Sequence, residues 1–265
     1  MGSACCVYAI VGRDTLLPAA GIGGDAELAM VPCGALAAVT GRMDADAVRV
    51  TTEAVLHHEA IVEAVRRQGP ALPVRFGTVF RDATSVASAL AQRYEPLAAD
   101  LHRLGDKVEM GLTAMWRESS SGDASAGATT AERARAAPGA GARYLYARAA
   151  AARHDAALKE NARAVARELD LVLGALALER RESLLPTPRV AVRTAYLLDP
   201  AGVGAFRAAF DEVRGNRDDL RLLLTGPWPP YSFVRRTDTD DGAAPGDRLV
   251  ALARLLTDAM AVRPD

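Results

Sequence analysis

Between Arg117 and Gly141 the chain reads RESSSGDASAGATTAERARAAPGAG, serine, glycine, alanine and threonine with scattered charge and almost no large apolar side chain. Such a stretch cannot bury enough surface to offset the entropy of ordering it, so it reads as a flexible linker or long loop. It parts the 265-residue chain into two sequences, each of which must build its own core. The expected organisation is an N-terminal domain over residues 1–116, the linker over 117–141, a C-terminal domain over 142–235, and a polar tether with a tail helix over 236–265. Half of the residues are hydrophobic and a quarter are charged, the balance of a folded globular protein.

The N-terminal part alternates strand and helix signals. CCVYAIVG, ending at Gly12, reads as a buried strand, and Ala26 to Met43 as two strands turning at Pro32 to Gly34. Val48, Val55, Ile61, Val62 and Val65 then space as a helix, with Asp44 or Asp46 as N-cap and Gly69-Pro70 as the stop. LPVRFGTVF (Leu72 to Phe80) is strand-like, Asp82 to Leu104 has helical spacing, and KVEMGLTAMW (Lys107 to Trp116) alternates as a half-buried strand. This order predicts an α+β fold, ferredoxin-like in the N-terminal domain.

The C-terminal part predicts a long helix with a small sheet and further helices. Leu158, Val165, Leu169, Val172 and Leu176 place one apolar stripe on a helix from Tyr144 to about Arg181. Unbroken, it would run roughly 55 Å, so a break or an extension beyond the core is expected. Arg189 to Asp199 reads as a strand, Pro200 to Arg214 as a helix stopping at Gly215, and LRLLLTG as a strand. In the tail, Leu249, Leu252, Leu256 and Met260 form an amphipathic helix that either packs back on the body or serves a partner.

Several function classes are disfavoured. A formal net charge of −1 lacks the basic footprint of a nucleic-acid binder. No apolar run approaches the roughly 20 residues that span a bilayer, and no signal peptide is visible, so a soluble cytoplasmic protein without membrane partners is expected. Cys5, Cys6 and Cys33 make neither a disulfide framework nor a zinc spacing. His57-His58-Glu59 invites a metal, but consecutive helix residues point about 100° apart and the i,i+4 histidine spacing is missing. His102 and His154 have no evident partner, and neither a nucleophile elbow, a phosphate loop nor a dinucleotide fingerprint occurs. No catalytic, cofactor or metal residue is assigned.

Two segments stand out instead. In LPVRFGTVF, Arg75 lies between Val74 and Phe76; on a strand it faces away from both, towards solvent, a ligand, or an acid such as Glu109. In GPWPPYSF (Gly226 to Phe233), Pro227, Pro229 and Pro230 exclude a helix and a central strand, and fix the backbone that presents Trp228, Tyr231 and Phe233. Rings on such a backbone either pack into the protein's own core or meet a partner.

With VYAIVG, HHEAIVEAV, GDKVEMGL and the AYLLD strand, these two segments resemble the gas vesicle protein L/F family (GvpL/GvpF) over residues 5 to 234. The resemblance implies a two-domain α+β accessory protein, not an enzyme, that binds the small hydrophobic major shell protein of gas vesicles. It would support shell assembly or remain as a minor shell component, in the cytoplasm and associated with the vesicles, with other gas vesicle accessory proteins as further partners. The motif residues that carry the resemblance, and a partner surface if there is one, are Leu72, Pro73, Arg75, Phe76, Gly77 and Glu109 with Gly226, Pro227, Trp228, Pro229, Pro230, Tyr231 and Phe233. The rival readings are a small-molecule enzyme using Arg75 with His57 or His58 as base, and a ligand-sensing module on a ferredoxin-like scaffold.

Overall fold

The computed structural model describes residues 3–18, 27–44, 51–117, 139–183 and 190–235. Asp46, nearly all of the Ser/Ala/Gly-rich stretch and the expected tail helix lie outside them. The described chain is α+β and forms two compact units that interleave in sequence. Unit 1 takes the chain up to Met110, then Leu197–Ala201, then everything from Gly226; unit 2 takes Gly111–Tyr196 and Gly202–Thr225. The segment GPWPPYSF, which a linear division places with the C-terminal domain, therefore belongs to unit 1.

Unit 1 is built on an antiparallel sheet. Its strands are β1 (Ser3–Gly12), β2 (Leu28–Cys33), β3 (Leu36–Asp44), β4 (Ala71–Pro73) and β5 (Val79–Phe80), in the order β2-β3-β1-β4, with β5 also on β1. The β2–β3 hairpin turns at Gly34, whose φ of 60° suits glycine, as its Pro-Cys-Gly signal predicted. In the pairing of β1 with β3, Val7 faces Thr40 and Ala9 faces Val39, which leaves Tyr8 as a bulged residue. The bulge shifts the inward alternation, so Cys6, Tyr8, Ala9 and Val11 all contribute to one core with Val39, Ile61, Val62 and Val65.

Helix α1 (Thr52–Arg66) supplies Ile61, Val62 and Val65 to that core. Its N-cap is neither Asp44 nor Asp46: Asp44 ends β3, and the Thr51 hydroxyl accepts from the Ala54 amide at 3.1 Å. The helical spacing after Asp82 resolves into two helices, α2 (Ala83–Gln92) and α3 (Tyr94–Leu104). Pro96 explains the break at Arg93, because a proline in the first turn of α3 has no N–H to continue α2.

The second sheet has the order β7-β8-β6-β9, from β6 (Val108–Trp116), β7 (Glu179–Ser183), β8 (Val190–Leu198) and β9 (Leu220–Trp228). Residues 108–110, 197–198 and 226–228 of these strands count with unit 1. Within unit 2, the Arg117 amide donates to the Asp219 carbonyl and the Thr225 hydroxyl to the Gly111 carbonyl, so β6 and β9 run antiparallel. Pro227 is tolerated in β9 because β9 is an edge strand, which the exclusion of a central strand left open.

Unit 2 also holds α4 (Ala140–Leu173) and α5 (Val203–Gly215). Helix α4 is unbroken and stops at Gly174, and a short 3-10 turn leads into β7, which the expected helix to Arg181 had covered. Its core stripe is Ala162, Val165, Ala166, Leu169 and Leu173; no described side chain of α4 before Ala162 is buried. Phe206 and Phe210 of α5 are buried, with the Tyr196 ring 5.2 Å from Phe206.

Candidate functional site

The two motif segments are held in unit 1 by adjacent residues of α1. LPVRFGTVF is not one strand. Pro73 faces Ala9 and Val79 faces Cys6, so the β1 side offers fewer positions than the chain between β4 and β5 must span. The Val74 amide donates to the Tyr8 carbonyl at 2.9 Å and the Val7 amide to the Thr78 carbonyl at 3.0 Å, which leaves Arg75, Phe76 and Gly77 extruded. They form a turn: the Thr78 amide and hydroxyl both donate to the Arg75 carbonyl, at 3.2 and 2.8 Å, and Gly77 has φ 81°, the region a turn of this kind reserves for glycine. Arg75 opens this turn rather than lying within a strand. The extrusion lies opposite the Tyr8 bulge, so β1 is distorted at one place on both of its edges.

His58 braces that turn. Its Nε2 donates to the Val74 carbonyl at 2.8 Å, since a carbonyl can only accept, and its ring lies 5.2 Å from Tyr8 and 5.6 Å, edge-on, from Phe76. It is 1% exposed and Nδ1 finds no hydrogen-bond partner. Burial pulls its pKa down; the Val74 hydrogen bond opposes this, and His57 adds to it. Burial likewise raises the Cys6 thiol and pushes the Tyr8 phenol up to about 12. Burial thus favours the neutral form of both imidazole and thiol.

Glu59, one residue on and about 100° around the helix, holds the other segment. It accepts from the Tyr231 hydroxyl at 2.8 Å. Burial raises the pKa of Glu59; the Tyr231 hydrogen bond opposes this, and Glu63 adds to it. Burial, with Glu59 beside it, raises Tyr231 well above the usual phenol range.

Beyond Trp228 the chain leaves the sheet and is held by side chains. The Tyr231 and Phe233 amides bond locally to Pro229 and Pro230 carbonyls. Glu109 takes the Ser232 amide at 2.8 Å and the Ser232 hydroxyl at 2.7 Å. Asp100 takes the Arg235 amide at 2.7 Å and Arg103 at 2.9 Å. Arg103 also donates to the Phe233 carbonyl, and Arg93 to the Arg235 carbonyl. Glu109 and Asp100 are 3% and 1% exposed, so these charged acceptors act where water does not compete. Residues 229–235 form a clasp closing unit 1.

The expected residues divide by burial. Leu72, Pro73, Glu109, Pro229, Pro230 and Phe233 are buried; Phe233 is 0% exposed. Arg75, Phe76, Gly226, Trp228 and Tyr231 are half-buried, and Gly77 and Pro227 are exposed. Gly226, at φ 112°, lies so close to the Glu109 carbonyl that a Cβ would come within 2.6 Å of it. Sequence reasoning missed His58 and Glu59 as braces, and Asp100, Arg103, Arg93 and Ser232 altogether. The HHE triplet was the available signal, for which the sequence offered only a metal reading that its spacing disfavours; its neighbours in space, not in sequence, explain it. Among the described residues no group of three or more His, Cys, Asp or Glu could hold a metal ion, and no helix is long and apolar enough to cross a membrane.

Known proteins resemble this chain. A family model described as "Gas vesicle synthesis protein GvpL/GvpF" matches residues 4–235, ending where Asp100 and Arg93 fasten Arg235. Gas vesicle protein L of Streptomyces sp. (strain CB03234) is 30% identical over 261 residues, covering 88% of this chain and 94% of the relative. Gas vesicle protein F2 of Halobacterium salinarum is 26% identical over 217 residues, covering 81% and 83%. The fold is that of the crystal structure of GvpF from Anabaena sp. PCC7120, with TM-score 0.67 at 16% identity, over 89% of this chain and 100% of that one.

Proposed function

Because the chain belongs to the GvpL/GvpF family of gas vesicle synthesis proteins, we propose that it is a non-enzymatic accessory protein that binds the small hydrophobic major shell protein and supports shell assembly, in the cytoplasm and at the vesicle. The match over residues 4–235 carries this reading. A subunit whose apolar surface must face gas aggregates in water unless that surface is covered before assembly. In this reading Arg75, Phe76 and Gly77 with Pro227 and Trp228 meet the partner, since they are at least partly uncovered, as Gly226 and Tyr231 beside them also are. The buried motif residues hold that surface in place.

The chemistry of the buried groups supports a scaffold. Glu59, Asp100 and Glu109 each accept hydrogen bonds from the clasp. His58, one of the two histidines that the enzyme reading offers as a base, is buried and bonded to the Val74 carbonyl. The test is co-expression with the major shell protein, with a tag on this chain only. A soluble complex of fixed stoichiometry is expected, weakened by Trp228→Ala and Phe76→Ala without loss of folding. A well-folded chain that recovers no shell protein would overturn the reading.

A further inference from the structure

The surroundings of His58 suit one protonation state of its ring. The Nε2 proton goes to the Val74 carbonyl at 2.8 Å, which in the neutral imidazole leaves Nδ1 as a lone pair. Nδ1 is buried and has no hydrogen-bond partner among the described residues. Tyr8 walls the ring from β1 at 5.2 Å, and Phe76 meets it edge-on from the turn at 5.6 Å. A second proton on this ring makes an N–H with nothing to donate to and a charge with no water around it.

The walls of this site differ in how readily they yield. Tyr8 is buried in β1, and α1 carries Ile61, Val62 and Val65, all 0% exposed, so neither element moves without opening the core. Val74 and Phe76 are half-buried. The turn they flank closes on itself through the Thr78 amide and hydroxyl, both on the Arg75 carbonyl, so it can move as one piece. We propose that protonation of His58 at Nδ1 releases this turn from β1, so that Phe76 leaves the ring and water reaches the imidazolium while the sheet and α1 stay folded. The turn is a pH-operated element, docked when His58 is neutral and released when it is charged.

The other ionisable groups around the ring do not produce this response. On β1, burial raises Cys6 and pushes Tyr8 up to about 12, so both stay uncharged as the pH falls. In the turn, Arg75 stays cationic throughout. On α1, Glu59 is turned to Tyr231 and its pKa is raised, so its contribution to stability grows on acidification, the opposite sign. His57 acts on His58 in the same direction as burial. His58 therefore takes its proton at lower pH when the turn is docked than when it is released. Between that lowered value and 6.5 the released form gains by up to about tenfold per pH unit, and below it the gain levels off.

Amide hydrogen exchange on the full chain, followed across about pH 5–7.5 and corrected for the intrinsic effect of pH on exchange, tests this. It needs no shell protein, so its result is independent of the partner-binding reading. The Val74 and Val7 amides, bonded to the Tyr8 and Thr78 carbonyls across the docked turn, should lose protection by up to about tenfold per pH unit below 6.5. Amides of β3, paired on both sides, should hold theirs. His58→Gln keeps a donor for the Val74 carbonyl and takes no proton, so it should retain protection at low pH. His57→Gln should keep the response over a narrower window. Protection at Val74 and Val7 that is indifferent to pH overturns the proposal, as does a loss that β3 shares equally. Either comparison is made in the unsubstituted chain and needs no variant to fold. An undiminished acid response in a folded His58→Gln overturns it as well.

Discussion

At the scale of single residues, the clasp rests on carboxylates that water does not reach. Glu109→Ala leaves the Ser232 amide and hydroxyl without their acceptor, and hydrogen bonds to a charged group of this kind contribute about 1.5–3 kcal/mol each. The expected loss of stability is about 2–4 kcal/mol in urea unfolding. Glu109→Gln, which keeps one carbonyl oxygen, should lose less. Glu59 behaves differently because burial has raised its pKa above the ordinary 4.5. In the window from 4.5 up to that raised value the folded protein binds more protons than the unfolded chain, so this group's contribution falls as pH rises. His58 has the opposite slope: its folded pKa lies below 6.5, the unfolded imidazole is protonated first, and stability falls as pH drops below 6.5. Glu59→Gln keeps an acceptor for Tyr231 and removes the buried charge. It should leave the protein at least as stable at pH 7 and remove this group's share of the slope above 4.5, while that of His58 stays, read from urea midpoints across pH 4–8; a loss at pH 7 exceeding that at pH 4 would contradict this. None of this was legible in the sequence. Trp228 drew attention because large aromatics are noticed first, yet it is only half-buried, and the ring that is fully buried is Phe233.

At the scale of elements, the interrupted edge of the first sheet makes a direct prediction. Val74 and Thr78 bond to Tyr8 and Val7, neighbours on β1, so deleting residues 75–77 would join β4 to β5 in one continuous register. The deleted chain should fold, with its far-UV circular dichroism retained, and should lose shell-protein binding if the turn meets the partner. Failure to fold would show instead that the Phe76 contact with His58 is structural. The sequence shows why this was missed: LPVRFGTVF has strand composition throughout, and only Gly77, one small residue, marks the turn. Elements with strong periodicity were legible. The β2–β3 hairpin, β6 and α5 fall where pattern and stop signals put them. Boundaries set by one residue were not: Pro96 splitting α2 from α3, Thr51 capping α1, and Gly174 ending α4 before an unforeseen β7.

At the scale of the whole molecule, the low-complexity stretch invites a linear division into two domains, and the compact units cut across it. Local spacing carries no record of which distant segment closes a core; the link between Ser232 and Glu109 spans 123 positions. A chain ending at Thr225 should therefore retain the sheet of unit 1 but lose its clasp, leaving Asp100 and Glu109 buried without these partners. Removing one partner of a buried charge costs about 3–5 kcal/mol, so this fragment should unfold at markedly lower urea or bind a hydrophobic dye. Full stability in the truncated chain would show the clasp to be dispensable. The clasp also has a meaning for biosynthesis. A ribosome makes β1 first and the clasp more than 200 residues later, so unit 1 waits, its last contacts unmade, while all of unit 2 is translated. At about 5–20 residues per second that interval lasts on the order of ten seconds or more, during which the nascent first unit is open to whatever else in the cell recognises unfinished apolar surface.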